Sequence, residues 1–299
     1  MINKTAMITI AGRANVGKST LTNKLTGDKV AIVSPKPQTT RNRIYGVFES
    51  GDTQMILLDT PGFHKAKTKL GDYMVGVVKA SVADVDAVAL LVEPVDSIGT
   101  QEEMLIEHIK KAGAPAILVI NKIDTVRQDL VLPVIERYSG FYNFDAIIPI
   151  SAKKSDGISE LLDVFKKYAK PGPQLFPDGM TTDQPERQII AEIIREKLLI
   201  CLDKEIPHGT AVEITKFTER GDEDNPIIDV DATIYCEKSS HKGMIIGKNG
   251  VMLKKIGQYA REDIERFMGA KVFLQTWVKV KENWRDSKTM MKNFGYIGK

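Results

Sequence analysis

The stretch Gly12-Arg-Ala-Asn-Val-Gly-Lys-Ser19 places two glycines four residues apart and follows the second directly with Lys and Ser. Glycines let the backbone turn tightly with its N–H groups facing inward, and a helix that starts near Lys18 adds its positive end to the same space. An apolar run at 7–10 precedes the stretch, and Leu21 and Leu25 follow it at helical spacing. This strand–loop–helix order predicts a loop that binds phosphate groups.

Length and amino-acid composition favour a soluble globular protein and argue against a membrane-spanning or disulfide-rich one. The chain has 299 residues and 42% hydrophobic content, which is typical of about two soluble globular domains. The two cysteines, Cys201 and Cys236, have no metal-ligand spacing and favour a reducing compartment, so a cytoplasmic location is expected. No run approaches the ~18 apolar residues of a membrane span, and no signal region precedes the first strand, so we expect any membrane contact to be peripheral.

Charge is distributed unevenly in the second half of the chain. Residues 238–299 carry 14 Lys and Arg against 5 Asp and Glu, whereas residues 203–237 carry 3 against 10. The net charge of the whole chain is only +3. The basic end therefore indicates an anionic partner, most simply a nucleic acid, although basic helices are often merely solvated.

Short apolar runs alternate with helical patterns up to residue 170. The expected strands are 6–10, 44–49, 54–58, 87–92, 116–120 and 147–150, with a hairpin at Gly51-Asp52. The pattern predicts an α/β domain with a doubly wound, mostly parallel sheet over 1–170. Residues 171–185 are rich in Pro and Gly and predict a linker, and a smaller α+β domain is expected over 186–299.

Three further motifs follow expected strands of the first domain. Asp59-Thr-Pro-Gly62 can hold magnesium through Asp59 and offer the Gly62 N–H to a γ-phosphate. In Asn121-Lys-Ile-Asp124, the Asp124 carboxylate can accept from the two guanine donors that adenine lacks. Ser151-Ala-Lys153 can present a backbone N–H to the guanine oxygen.

Together with the first loop, these motifs predict a GTP site with Mg²⁺ held by Ser19, Asp59 and a threonine of the polar segment 34–41. That threonine is Thr40 or, as the alternative, Thr39, in a loop suited to order around the γ-phosphate. Lys18, Thr40 and Gly62 are the expected catalytic residues. The expected nucleotide contacts are Gly12, Asn15, Val16, Gly17, Lys18, Ser19, Thr20, Asp59, Thr60, Pro61, Gly62, Asn121, Lys122, Asp124, Ser151, Ala152 and Lys153.

The second domain carries a Gly247-Lys-Asn-Gly250 loop between two expected helices. KH modules clamp single-stranded RNA with such a loop, because glycines let phosphates approach the backbone. Trp284, Phe294 and Tyr296 are expected to offer stacking surfaces, with Trp284 equally suited to a core position. The expected RNA contacts are Met244, Ile245, Ile246, Gly247, Lys248, Asn249, Gly250, Lys254, Lys255, Trp284 and Arg285.

Over nearly its full length the chain resembles the Era family of bacterial GTPases. The resemblance rests on these motifs together with the QTTR segment at 38–41, EIIREK at 192–197 and WVKVKxNWR at 277–285. It implies a GTPase domain followed by a type II KH domain that binds the 3′ end of 16S rRNA and assists maturation of the 30S subunit. It also implies peripheral association with the inner membrane. Ala14 stands where the family usually has Pro, and only a small cost is expected.

Hydrolysis in such a site must proceed without a glutamine that orients water, because Phe63 follows the DTPG motif. We therefore expect slow intrinsic turnover. His64 is a possible base, but a solvated role is more typical of a histidine in a polar loop. Related GTPases that lack this glutamine use an Asn of the phosphate loop to hold K⁺, so the resemblance implies that Asn15 can hold K⁺ beside the phosphates, where a positive charge can replace an arginine finger.

Three functions compete at this point. The favoured one is a GTP-driven RNA-binding assembly factor. The second is a signalling GTPase whose C-terminal domain docks a protein or membrane surface. The third, an ATP-using P-loop kinase, is disfavoured by Asp124 and Ala152.

Overall fold

The computed structural model describes residues 2–63, 66, 68–203, 206–222 and 225–296. The chain divides into two compact units. The first comprises residues 1–31, 40–66 and 71–183, and the second comprises 32–39, 67–70 and 184–299. The short segment 32–39 therefore packs with the C-terminal part of the chain, although it lies between two elements of the first unit. His64, named above as a possible base, lies outside the described residues.

The first unit is built on a single sheet. Its strands are β1 Lys4–Ala11, β2 Ile44–Ser50, β3 Thr53–Asp59, β4 Ala87–Val92, β5 Ala116–Ile120, β6 Ala146–Pro149 and β7 Lys170–Pro171. Their order is β2-β3-β1-β4-β5-β6, and β7 pairs with the start of β1. Only β2 and β7 run antiparallel to their neighbours, which confirms the doubly wound, mostly parallel sheet.

Helices cover both faces of this sheet, so its inner strands are buried on both sides. Helices α1 Lys18–Thr26 and α5 Ile158–Lys166 pack on one face. On the opposite face lie α2 Lys69–Ser81, α3 Thr100–Ala112 and α4 Val131–Phe141. Every residue of β3, β4 and β5 is buried, as expected for continuous apolar runs in parallel strands.

The residues after Pro171 do not leave the first unit directly. The Gln54 amide donates to Phe176 O at 2.8 Å, and its carbonyl oxygen accepts from the Leu175 N–H at 2.9 Å. Farther along, the Val47 N–H donates to Thr181 O at 2.8 Å. Most of the Pro- and Gly-rich stretch therefore runs along the sheet of the first unit, which extends to Asp183.

The second unit is a smaller α+β arrangement. Its elements are α6 Glu186–Cys201, β8 Ala211–Arg220, β9 Ile227–Cys236, α7 Ser239–Ile246, α8 Val251–Met268, β10 Lys271–Val280 and α9 Lys288–Asn293. The sheet has the order β10-β9-β8, in which β9 and β10 are parallel and β8 is antiparallel to β9. Apolar residues of α6, α7 and α8 pack with one face of this sheet into a single core, which includes Ile194, Ile234 and Ile256.

An aromatic cluster closes the C-terminal end of the second unit. Trp284 is fully buried, and its indole N–H donates to Gly209 O at 2.9 Å. Its ring lies 5.3 Å from that of Phe294 and 6.1 Å from that of Tyr296, both of which are buried. The expectation that these three rings offer stacking surfaces is wrong, because their faces are used in packing one another; for Trp284 the core alternative holds.

Side chains of helix α6 bind the backbone of segment 32–39. The buried Arg195 guanidinium donates to Gln38 O at 3.4 Å and also to Thr39 O. The Val33 N–H donates to Glu196 Oε1 at 2.8 Å. We call these contacts the α6 clamp. They fix a stretch without regular secondary structure inside the second unit.

Across the described ranges, no helix combines the length and the apolar character needed to cross a bilayer.

Candidate functional sites

The carboxyl ends of the parallel strands place the predicted motifs along one edge of the first sheet. The phosphate loop, Gly12–Ser19, follows β1 and leads into α1. Gly17 has φ +99°, and a Cβ there would lie 2.2 Å from the Asn121 Nδ2 atom. Only glycine fits this position without displacing Asn121, because L side chains rarely adopt such a φ.

Lys18 is the buried cation of this loop. Its ammonium donates to Gly12 O at 3.1 Å and Arg13 O at 2.8 Å. Burial lowers the pKa of Lys18 to about 8, against the opposing charge of Asp59. The ammonium remains charged at neutral pH, so it can serve an anion in the loop.

Three oxygen-bearing side chains of the first unit meet beside the phosphate loop. Ser19 Oγ lies 2.6 Å from Asp59 Oδ2 and 2.8 Å from Thr40 Oγ1. Burial raises the pKa of Asp59 to about 6, and the nearby Lys18 charge opposes the shift. Its second oxygen, Oδ1, is buried without a hydrogen-bond partner among the described residues. Hard oxygen donors of this kind fit Mg²⁺.

The residues of the NKID and SAK motifs are brought together at the ends of β5 and β6. Asn121 Nδ2 donates to Val16 O at 2.8 Å, and Asn121 Oδ1 accepts from the Ala152 N–H at 3.0 Å. Ser151 Oγ donates to Asp124 Oδ1 at 2.6 Å, which orients the exposed carboxylate. The Ala152 amide is thus engaged by Asn121 and is not the donor available to a base in this structure.

Phe63 packs into the apolar core instead of facing the loop. It is 3% exposed, and its ring lies 6.0 Å from that of His108 in an edge-on arrangement. Its N–H donates to Gly12 O at 3.2 Å. The side chain after the DTPG motif therefore has neither the chemistry nor the position to orient water.

Ion pairs beside the phosphate loop were not foreseen from the sequence. Arg13 contacts Glu93 and Glu102, and Lys122 Nζ lies 2.6 Å from Glu93 Oε1. Glu93 directly follows β4, and a charged residue at the carboxyl end of a buried parallel strand was the available signal.

The GxxG loop of the second unit joins α7 to α8, as predicted. Gly247 has φ +71° and ψ +174°, a region open essentially to glycine, and a Cβ there would lie 2.8 Å from Met252 Cβ. Lys248 and Asn249 are exposed at the tip of the loop.

A groove of about 540 Å³ continues from this loop between α8 and β10. Gly250, Lys254 and Arg261 line one side, and Leu274 and Thr276 line the other. In the sheet order β10 stands at the edge, so part of its backbone faces away from β9. The groove therefore combines positive charge, apolar surface and a strand edge.

Besides Trp284, two expected RNA contacts are placed differently from the prediction. Ile245 is fully buried in the core of the second unit, so it cannot line a base groove; Ile246 is only partly buried. Arg285 forms a bidentate pair with Glu237, at 3.0 Å from Nε and 2.5 Å from Nη2, which neutralises its charge. Met244, Lys254 and the adjacent Lys255 are exposed, as an RNA contact requires.

Family models recognise both units. A model described as 50S ribosome-binding GTPase matches residues 7–122, and a KH domain model matches residues 205–285. The fold and its motifs thus define a P-loop GTPase with a C-terminal KH domain.

Full-length relatives refine that class. The chain is 52% identical to GTPase Era of Ruminiclostridium cellulolyticum over 296 residues, covering 99% of this chain and 98% of the relative. It is 49% identical to GTPase Era of Clostridioides difficile over 297 residues, with 99% of each chain covered. The chain belongs to the Era family of GTPases.

Solved Era structures share the whole fold. One is Era in complex with MgGDPNP and nucleotides 1506–1542 of 16S ribosomal RNA, with a TM-score of 0.93, 38% identity and coverage of 98% and 99% of the two chains. Another is an Era point variant from Aquifex aeolicus bound to GDP and AlF4⁻, with a TM-score of 0.92, 38% identity and the same coverage.

Proposed function

We propose that this GTPase is an RNA-binding assembly factor: GTP occupies the first unit, and the KH domain binds the 3′ end of 16S rRNA on the 30S subunit. The observation that carries the proposal is the exposed GxxG loop, with Lys248 and Asn249 at its tip, leading into a basic groove. Similarity to an Era solved with 16S rRNA nucleotides supports the choice of RNA. A docking surface for protein or membrane would not need this loop.

The nucleotide binds the phosphate loop and the NKID motif, which the hydrogen bond from Asn121 to Val16 O connects. Backbone N–H groups of the phosphate loop and the Lys18 ammonium bind the phosphates, and Asp124 binds guanine. The other contacts are those expected from the sequence, at Gly12, Asn15, Val16, Gly17, Ser19, Thr20, Thr60, Pro61, Gly62, Lys122, Ser151 and Lys153. The two functions belong to different parts of the chain: residues 1–170 bind and hydrolyse GTP, and residues 186–299 bind RNA.

Ser19, Asp59 and Thr40 hold Mg²⁺, with Asp59 in part acting through water. Asp59 Oδ1, which is buried and has no hydrogen-bond partner in the part of the chain that the structure describes, supports this assignment. The ion supplies positive charge against the β- and γ-phosphates when it is bound. Lys18 and the Gly62 N–H add donors on the γ-phosphate, and Thr40 couples the preceding loop to it.

Asn15 would hold K⁺, whose positive charge would assist hydrolysis. The buried Phe63 and the absence of a glutamine at that position support a need for further positive charge. Turnover should be faster in K⁺ than in Na⁺ at equal ionic strength, and Asn15→Ala should abolish the difference. Equal rates of the parent protein in the two salts would contradict this part of the proposal.

Crosslinking in cells followed by sequencing of the attached RNA tests the main proposal. Reads confined to the 3′ end of 16S rRNA are expected. Recovery of no RNA would instead favour the signalling function. A cytoplasmic location fits this role, and peripheral membrane association stays a prediction of the family resemblance.

A further inference from the structure

Four charged side chains form a cluster on the outer side of the phosphate loop. Arg13 Nε lies 2.9 Å from Glu102 Oε1, and the other end of the same guanidinium contacts Glu93 Oε2. The second oxygen of Glu93, Oε1, lies 2.6 Å from Lys122 Nζ. Glu93 thus places one carboxylate between two cations that belong to different loops.

The two cations belong to the motifs at opposite ends of the nucleotide site. Arg13 is part of the phosphate loop, and Lys122 is part of the NKID motif that carries Asp124. Lys122 Nζ donates in addition to Asn15 O at 2.6 Å, so it reaches the backbone of the phosphate loop itself. Lys122 has φ +68°, a backbone conformation that is uncommon for a residue other than glycine and that persists where the surrounding structure holds it.

The two carboxylates of the cluster are more shielded than its two cations, since the Arg13 side chain is 37% exposed and that of Lys122 is 34% exposed. The Glu102 side chain is 7% exposed and that of Glu93 is 26% exposed. Ion pairs to shielded carboxylates are screened less than fully exposed pairs. Removal of the Glu93 carboxylate leaves Arg13 paired with Glu102 and Lys122 bonded to Asn15 O, so the two loops lose the group that links them while each cation keeps another partner. Without the Glu93 carboxylate, Arg13 and Lys122 would face each other as like charges.

We propose that Glu93 is a positioning residue that fixes the distance between the phosphate loop and the guanine-binding loop. A guanine nucleotide must engage both loops, so a site already held at the right separation binds it without the cost of ordering them. Glu93 touches neither the phosphates nor the base. It acts on the nucleotide through Arg13 and Lys122. It therefore affects the rate of nucleotide dissociation more than the rate of hydrolysis.

The test compares Glu93→Gln with Asp96→Asn in the full chain. Asp96 lies three residues farther along and pairs with Arg137, and both side chains are about half exposed, so its substitution removes a surface ion pair as a matched control. Fluorescent GDP and GTP with Mg²⁺ give Kd and the dissociation rate. Glu93→Gln should weaken both nucleotides at least tenfold through faster dissociation, and Asp96→Asn should change them less than twofold.

Two readouts separate positioning from a general loss of stability. At saturating GTP, kcat of Glu93→Gln should stay within about twofold of the parent value while KM rises. Urea unfolding of the nucleotide-free protein should match that of Asp96→Asn. Glu93→Asp, which keeps the charge on a shorter arm, should lie between parent and Glu93→Gln. Parent-like dissociation of Glu93→Gln, or a loss of affinity matched by an equal loss of nucleotide-free stability, would overturn the inference.

The inference rests on the proposed nucleotide site, and Lys18→Ala distinguishes the two. If Lys18→Ala retains nucleotide, the site itself is misplaced. If Lys18→Ala loses nucleotide while Glu93→Gln keeps it, only the role of Glu93 fails.

Discussion

The phosphate loop and the GxxG loop both turn through a glycine with positive φ next to a helix, but their surroundings differ. Side chains from other loops hold the phosphate loop: Asn121 and Lys122 bind its backbone, and Glu93 binds Arg13. The tip of the GxxG loop, Lys248 and Asn249, is exposed. A closed loop suits a small ligand that is wrapped on several sides, whereas an open loop suits a polymer that passes along the surface.

The largest effect on ligand affinity is expected at the guanine end of the nucleotide site. Asp124→Asn replaces one of the two carboxylate oxygens that accept from the guanine donors by an NH2 donor, and we expect it to weaken GTP binding roughly 10⁴-fold because a donor then faces a guanine donor and neither is paired. Xanthosine triphosphate should bind the variant better than GTP does. Nucleotide titrations measure both, and equal binding of GTP and ATP by the parent protein would remove the guanine assignment.

The open loop should respond to charge. Replacing Lys248 and Asn249 by Asp puts negative charge against the RNA backbone, so affinity for an oligonucleotide matching the 16S 3′ end should fall about ten- to a hundredfold. GTP affinity should not change. Titrations at several salt concentrations should also show a shallower slope, by about 0.7 for each phosphate that the variant no longer neutralises. RNA binding equal to that of the parent would place the clamp elsewhere.

Matched glycine substitutions sharpen the comparison directly. Gly17→Ala and Gly247→Ala each force a side chain into a conformation that costs about 1–3 kcal/mol. Gly17→Ala should lower GTP affinity about tenfold and spare RNA binding, and Gly247→Ala should do the reverse. Gly140→Ala, in α4 with open space at the Cβ position, is the control. Loss of both ligands in either variant would show that the loops are not independent.

The smallest effect on ligands is expected at Trp284. Trp284→Phe leaves the buried Gly209 carbonyl without its donor, which should lower the free energy of unfolding by about 1–3 kcal/mol. RNA affinity should be the same as in the parent, since the ring is buried among Phe294 and Tyr296. Chemical unfolding and RNA titration check the two parts, and weakened RNA binding with unchanged stability would restore a stacking role.

The architecture of the first unit could be predicted because its strands are continuous apolar runs, and each motif directly follows one. β6, for example, begins and ends one residue before its predicted bounds. The position of Glu93 directly after β4 was a signal in the sequence, but its partners could not be predicted, because Arg13, Glu93 and Lys122 come from three segments whose approach depends on the sheet order. Trp284 shows a different limit: an aromatic residue in a basic segment has the same pattern whether it packs inside or stacks on a base.

The α6 clamp makes segment 32–39 measurable by deuterium uptake. A polar, proline-bearing loop without regular secondary structure ordinarily exchanges its amide protons within seconds. Here the Val33 N–H donates to the buried Glu196 carboxylate, and Arg195 anchors the backbone on the other side. The Val33 amide proton can exchange only when its hydrogen bond to Glu196 opens. Its exchange rate therefore measures how often the α6 clamp releases the segment that precedes Thr40.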